Sequence, residues 1–321
     1  MKYEYQSVLK TMIQDLIVEK RNLGFKYETM EWKLKELDQL AVKNNLDHIE
    51  ITKEFAETYI KKKPNEKAVN ATHRVSAIKT LSEYLIRRGY PAYVIPPLPV
   101  GSYNRDFIPH IFTDDELKRL FTAIDTYAEA ISLDGQYYPQ RKKYTVIFRI
   151  LYSTGMRIGE VLNLKVKDVD LNNRTFTILN AKHNTERIIP FHENVIQKLR
   201  NYMIEFEIYH DDQYIFSNRS GSPIDKSTVD FFFLRFLRLA GIPHPEGGPR
   251  IHDLRHTFCV HRLRDWVLEG KDVNALFPYL CAYMGHADTR STEYYLRLTA
   301  DIFPNIVFKS EQYFNGGLSD E

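Results

Sequence analysis

The sequence predicts a mainly α-helical protein carrying one small antiparallel β-sheet. Two observations lead there. Apolar residues recur at helical spacing on both sides of a short central stretch, and within that stretch, residues 166–191, the period changes to the alternation of strands. A third observation is a proline-rich run after the first ninety residues, which divides the chain into a helical N-terminal domain and a mixed α/β second domain.

Each element has its own signal. In "VLKTMIQDLIVEKRNLG" the residues Leu9, Met12, Ile13, Leu16 and Ile17 follow the i, i+3, i+4 rule, and Gly24 supplies a stop. "MEWKLKELDQLAVKN", "TKEFAETYIKKK" and "ATHRVSAIKTLSEYLIRRGY" repeat the pattern, the last closed by Gly89. "PAYVIPPLPVGSYN" then places four prolines in fourteen residues. Proline cannot continue a helix and pushes its neighbours into extended conformations, so this stretch reads as a tether. The expected boundaries are a helical domain over 1–95, a linker over 96–109, a second domain over 110–300 and a C-terminal tail over 301–321.

The second domain opens on "FTDDELKRLFTAID", where Thr113, the acidic residues behind it and then Leu117, Leu120 and Phe121 mark a capped helix start. "YTVIFRILYSTG" is almost wholly apolar and reads as a buried helix. The central stretch predicts two or three short strands with a turn at "DLNN"; beyond residue 191 helices resume, apart from the turn-rich "SNRSGSPID".

Composition removes several classes of function. A chain of 321 residues with 43 % hydrophobic and 27 % charged residues has the make-up of a folded protein, and its apolar runs are too short for a transmembrane helix. The N-terminus lacks the uninterrupted apolar core of a signal peptide. Cys259 and Cys281 lie in apolar helical stretches, which fits reduced thiols and a cytoplasmic location better than a disulfide framework. The net charge of +2 hides a segregation: residues 61–106 hold 9 Lys/Arg against 3 Asp/Glu, and residues 141–190 hold 10 against 4. Basic blocks within an otherwise acidic chain fit two surfaces that face a polyanion; solvated helix faces would account for them equally well.

Four stretches could carry chemistry. In "STGMRIGEVLNLKVKDVDL", Gly155 ends one helix, Arg157 begins the next and Glu160 lies one turn on. An arginine at a helix start opposes the helix dipole but, with neighbouring amides, suits a phosphate; the plainer alternative is a local pair with Glu160. "NAKHNTERIIPF" reads as a hairpin with a polar tip, Lys182 near the end of one strand and Arg187 near the start of the next. Such a lysine is either solvated edge protection or a proton donor to a leaving oxygen. In "GGPRIHDLRHTFCVHRL" a helix starts at Pro249, and His252 and Arg255 share a face on which one oxyanion could rest. His252 and His256 also have the spacing of zinc-binding helices. Asp253 stands where that motif has glutamate, however, and the arginine repels a cation, so no metal is expected. Finally, "YMGHADTRSTEYYLRL" sets His286 nine residues before Tyr295. No Walker loop, nucleophile elbow or paired-carboxylate metal cluster competes with these stretches.

"TGMRIGEVLNL", Lys182 in its hairpin, "HDLRHTF" and "MGHADTRSTEYY", four motifs in this order with intact spacing, resemble the tyrosine recombinase, or phage integrase, family. The resemblance runs from about residue 110 to 300. It implies a catalytic domain of the DNA breaking-rejoining type behind a helical, SAM-like core-binding domain. It further implies that Tyr295, selected over Tyr294 by its distance from His286, attacks a DNA phosphodiester to leave a 3′-phosphotyrosine and a free 5′-hydroxyl.

By the same resemblance Arg157 and Arg255 clamp the non-bridging oxygens, Lys182 protonates the leaving 5′-oxygen and His252 assists proton transfer. His286 hydrogen-bonds a phosphate oxygen and Glu160 orients Arg157. The covalent link conserves the bond energy, so neither ATP nor a cofactor is expected. The partners implied are double-stranded DNA recombination sites, other copies of the chain in a tetrameric synapse, and accessory DNA-bending or directionality proteins; no membrane is implied. The basic blocks then fit a clamp around duplex DNA. The apolar tail residues Ile302, Phe303, Ile306, Val307 and Phe308 fit docking on a neighbouring subunit. A type IB topoisomerase-like enzyme would share the chemistry as a monomer, and an inactive DNA-binding regulator would share the fold.

Overall fold

The computed structural model describes residues 2–61, 63, 64, 66, 68–96, 109–130, 139–180 and 185–285. The chain divides into two compact units, the first of residues 1–107 with 180–185 and the second of residues 108–179 and 186–321. Among the described residues the elements are helices, with a single three-stranded sheet in the second unit.

The first unit holds α1 (Lys10–Asn22), α2 (Glu28–Lys43), α3 (Lys53–Ile60) and α4 (Ala68–Arg87). Their apolar stripes meet in one core: Leu9, Ile13, Leu16 and Ile17 from the first helix pack with Leu34 and Leu37, Phe55 and Tyr59, and Ile78, Leu81 and Leu85. Gly24 and Gly89, read as stops, both take positive φ after their helices. Leu9, at the N-cap of α1, offers no side-chain acceptor. Buried Asp38 on α2 instead accepts the amides of Gln6 (3.0 Å) and Ser7 (2.9 Å) just ahead of that helix. Buried Arg74 on α4 pairs with Glu66 and also donates to the Lys61 carbonyl at 3.0 Å.

The second unit begins with α5 (Asp114–Glu129), opened by the capping box the sequence announced: Thr113 and Glu116 exchange hydrogen bonds of 3.1 and 2.9 Å. Then come α6 (Lys142–Thr154) and the five-residue α7 (Ile158–Leu162), followed by β1 (Val169–Asp170), β2 (Thr175–Asn180) and β3 (Thr185–Pro190). The sheet order is β1-β2-β3, with Val169 opposite Phe176 in an antiparallel pair. The Phe191 amide donates to the Arg174 carbonyl at 3.0 Å, so the end of β3 meets the start of β2 and that pair is antiparallel too. The "DLNN" turn is tied by Asp170, whose carboxylate accepts both following amides, Asn172 (2.9 Å) and Asn173 (2.8 Å).

Helices α8 (Glu193–Glu205), α9 (Lys226–Leu239), α10 (Ile251–Leu268) and α11 (Val273–Met284) complete the unit. Its main core gathers Leu120 and Ile124, Ile147, Phe148 and Leu151, Phe176, Leu199, Phe233, Phe236 and Leu254. A smaller cluster of Phe258, Cys259, Val260, Leu263, Leu280 and Met284 joins α10 to α11. Cys259 in that cluster and Cys281 on α11 are both buried as free thiols. Helix α10 starts at Ile251, two residues after the proline that the sequence put first. Arg250 occupies the N-cap, and the Asp253 carboxylate accepts its amide at 2.8 Å and its guanidinium at 2.8 Å. No helix among the described residues is long and apolar enough to cross a membrane.

Candidate active site

The site forms where three helix ends meet. Helix α6 stops at Gly155, which takes a left-handed conformation (φ +62°) that glycine adopts without strain. Two residues on, Arg157 is the N-cap of α7 with Glu160 at its third position, and the Glu160 carboxylate accepts the Arg157 amide at 2.9 Å. Helix α11 likewise ends at a left-handed glycine, Gly285 (φ +62°), the last described residue. Arg255 projects from the second turn of α10.

The two arginines are held by these helix ends. Arg255 is 3 % exposed; its Nη1 donates to the Gly155 carbonyl and its Nη2 to the Met284 carbonyl, both at 2.6 Å. Carbonyls at a helix C-terminus carry the negative end of the helix dipole, so they suit a guanidinium without adding a formal charge. Arg157 donates from Nη2 to the Gly285 carbonyl (3.2 Å) and from Nη1 to Glu160 (3.0 Å). Both guanidiniums therefore converge on the last turn of α11, bringing together motifs 128 and 29 residues apart in sequence.

Glu160 has a second partner, Arg187 on β3, whose Nη2 donates at 2.7 Å. Burial alone would raise the Glu160 carboxyl. Hydrogen bonds from Arg187 and from the Arg157 amide, with the charges of both arginines, outweigh it and hold the group below the usual carboxylate range. His252, on the first turn of α10, presents an exposed face to solvent. Enough protein surrounds its ring that desolvation, then the charges of Arg255, Arg250 and Arg157, lowers its pKa to about 4. The imidazole is neutral at neutral pH. His256 lies beside it, ring centroids 4.8 Å apart and nearly perpendicular. Among the described residues no group of three or more His, Cys, Asp or Glu side chains is arranged to hold a metal ion.

Residues 110–301 match the phage integrase family. The chain belongs to this family. It is thereby a tyrosine recombinase, the class of site-specific DNA recombinases. Among its relatives, the integrase/recombinase-like protein y4rB of Sinorhizobium fredii is 25 % identical over 316 residues, covering 95 % of this chain and 98 % of that one. The tyrosine recombinase XerC of Staphylococcus saprophyticus is 27 % identical over 241 residues, 73 % of each chain. The fold is also that of the XerH recombinase bound to its palindromic difH substrate after cleavage, at a TM-score of 0.61 and 20 % identity, covering 87 % of this chain and 78 % of that one. The Tn1549 transposon integrase with circular intermediate DNA gives 0.58 at 19 % identity over 88 % and 94 %.

Of the residues singled out in the recombinase's sequence, Arg157, Glu160, His252 and Arg255 are described, and Arg157, Glu160 and Arg255 are linked through the end of α11 as above. Lys182, His286 and Tyr295 lie outside the described residues, as do Tyr294 and the tail from residue 301. Arg187 is the residue sequence reasoning passed over. It stood in a hairpin strand, where a charged side chain is usually solvated, and only the fold brings it to Glu160.

Proposed function

We propose that this recombinase cleaves and rejoins duplex DNA at specific sites through a covalent 3′-phosphotyrosine intermediate on Tyr295. The tyrosine oxygen attacks the scissile phosphorus while the bond to the 5′-oxygen breaks. A tyrosine hydroxyl titrates near 10, so its proton must be taken up as the bond forms. His252, neutral at the start, assists that transfer, and Lys182 supplies a proton to the departing 5′-oxygen. Arg157 and Arg255 take the charge that builds on the non-bridging oxygens, their planar forks matching a phosphate edge. His286 hydrogen-bonds a phosphate oxygen, and Glu160 orients Arg157. A 5′-hydroxyl from another strand then attacks the phosphotyrosine, restoring a phosphodiester and the free tyrosine, so no external energy source is used.

The observation that supports this reading most is the convergence of both arginines on the last turn of α11. Arg157 bonds the Gly285 carbonyl and Arg255 the Met284 carbonyl, immediately ahead of the segment that contains His286 and Tyr295. The helical domain over 1–95 and the basic surface of the domain over 110–300 bind DNA, with 96–109 as tether. Four copies act together on two sites, joined in part by residues 301–321. The recombinase works in the cytoplasm, with both thiols reduced, on DNA of the mobile element that encodes it.

The test is covalent trapping on a suicide duplex nicked near the cleavage position, taken from the ends of the encoding element, with EDTA present. A denaturation-resistant adduct that Tyr295→Phe loses and Tyr294→Phe keeps is the expected result. Loss in Tyr294→Phe alone moves the nucleophile by one residue, and no adduct with salt-sensitive binding intact refutes the cleavage reading.

A further inference from the structure

We propose that Arg187, on β3, is a positioning residue of the cleavage site: it takes up the charge of Glu160, so that Glu160 can hold Arg157 without cancelling it at the scissile phosphate. The inference rests on the recombinase reading above and adds a residue to it.

One carboxylate serves two guanidiniums here. Glu160 Oε2 accepts the Arg157 amide (2.9 Å) and Arg187 Nη2 (2.7 Å), while Oε1 accepts Arg157 Nη1 (3.0 Å). The Glu160 and Arg187 side chains are 16 % and 12 % exposed, against 40 % for Arg157, so the Glu160–Arg187 pair is inside and Arg157 faces outward. Screening is weak in such surroundings, and the charge balance of the cluster is felt by whatever approaches its outer edge. A carboxylate paired with Arg157 alone would leave a neutral pair, and an incoming phosphate would meet a dipole. With Arg187 present the trio carries one net positive charge, and the outer guanidinium is the one that presents it. The arrangement orients Arg157 through its amide and Nη1, leaves Nη2 on the Gly285 carbonyl, and keeps the site cationic.

Two further facts set Arg187 apart from an ordinary structural ion pair. Its Nε and Nη1 are buried and find no acceptor among the described residues. Buried donors left unpaired lower stability, and an apolar side chain of similar volume would fill the strand position without that penalty. What the guanidinium adds is charge. It also lies against the backbone that Arg157 grips: a Cβ on Gly285 would stand 3.0 Å from Arg187 Nη1. Arg187 thus bonds one of the acceptors that fix Arg157, the Glu160 carboxylate, and its guanidinium lies near Gly285, whose carbonyl is the other.

The experiment is single-turnover adduct formation on the suicide duplex, with duplex binding and melting measured alongside. It compares the intact chain, Arg187→Gln, Arg187→Lys, Glu160→Gln and the double variant Arg187→Gln/Glu160→Gln. Arg187→Gln is expected to slow cleavage about 10–100-fold, the range usual for a group that acts by orienting another, with binding within a few-fold of the parent. Removing the now unbalanced carboxylate in the double variant is expected to recover part of the rate, and Arg187→Lys, which keeps the charge, to stand between parent and Gln. A packing role predicts otherwise: losses that multiply in the double variant, and a lysine variant as impaired as the glutamine one. Either outcome, or Arg187→Gln within twofold of the parent, overturns the inference. A folding defect of Arg187→Gln that Glu160→Gln corrects supports it, whereas one shared by Arg187→Lys assigns Arg187 to packing and overturns it. If the parent forms no adduct while still binding the duplex, the cleavage reading itself falls and takes this inference with it.

Discussion

Gly155 ends α6 and presents its carbonyl to Arg255, so replacing it with alanine perturbs fold and site together. The position has φ +62°, where an L-residue costs roughly 1–2 kcal/mol. The added Cβ would lie 2.5 Å from Phe258 Cδ1 and 3.1 Å from both Cγ and Cε1, so a whole ring edge must move by about 1 Å to regain van der Waals distance. That ring is 8 % exposed and stacked on Tyr283 (centroids 5.8 Å, 25° between planes), which leaves it little room. Overpacking of this kind costs about 1–3 kcal/mol. Together the two terms give roughly 2–5 kcal/mol, a fall in melting temperature of roughly 5–15 °C for a unit of this size. Phe258 is three residues beyond Arg255 on α10, so a displaced ring also drags Arg255 from its carbonyl; about 100-fold slower adduct formation is expected where the variant is still folded. Differential scanning fluorimetry and the trapping assay read the two effects. Phe258→Leu should cost less in the Gly155→Ala background than in the parent, because it removes the ring edge in the way. Melting within 1 °C of the parent, or additive effects of the two substitutions, would refute the account.

Two predictions concern titration. The lowered pKa of His252 means that in the free protein its ring protons should titrate near 4 by NMR, and that bound duplex, whose phosphate charge opposes the arginines, should raise the midpoint. A free-state midpoint at 6.5 would contradict the cluster described here. In the first unit, the hydrogen bond from Arg74 holds the Glu66 carboxyl down to about 2. A carboxyl lowered by folding adds stability that is whole above the unfolded value of 4.5 and is lost as pH falls from there towards 2. Glu66→Gln should therefore flatten the stability profile in that window. At neutral pH it should destabilise by about 1–3 kcal/mol through the buried guanidinium it leaves without a counter-charge, measured by urea unfolding; an unchanged profile would remove the pair from the account.

Much of the fold was legible because its signals are local. The stripe Leu9, Ile13, Leu16 and Ile17 becomes one wall of the first core, and the box Thr113–Glu116 caps α5 as expected. The start of α10 was misread because the pattern for an N-cap looks for a short polar side chain, whereas Arg250 fills the place and Asp253 does the capping. In the site, residue types were legible but their holders were not. Gly155 reads as a helix stop, and nothing in a sequence says that its carbonyl, or those of Met284 and Gly285 at the end of α11, will grip arginines from other helices. The Arg157–Glu160 pair, one of the alternatives the spacing offered, is present because three residues separate the two on one turn. The pairing of Glu160 with Arg187 crosses 27 residues and a strand, beyond the reach of any spacing rule.

The contrast between the two arginines follows from what holds them. Arg255 is almost fully buried, and a carboxylate placed against it there would cancel the charge that a phosphate needs. Arg255 donates to two helix-end carbonyls, which satisfy N–H groups while leaving the formal charge intact. Arg157 is more exposed, and its orientation does come from a carboxylate, so its charge survives only if that carboxylate is itself offset. Counted over these side chains, Arg157, Arg187 and Arg255 against Glu160 leave two positive charges at the end of α11. Removing Arg187 halves that excess without touching Arg157 or Arg255. Under the proposed cleavage mechanism, where this cluster stabilises developing negative charge on a phosphodiester, the loss would be felt in the cleavage rate far more than in the grip on DNA, to which the basic blocks would also contribute.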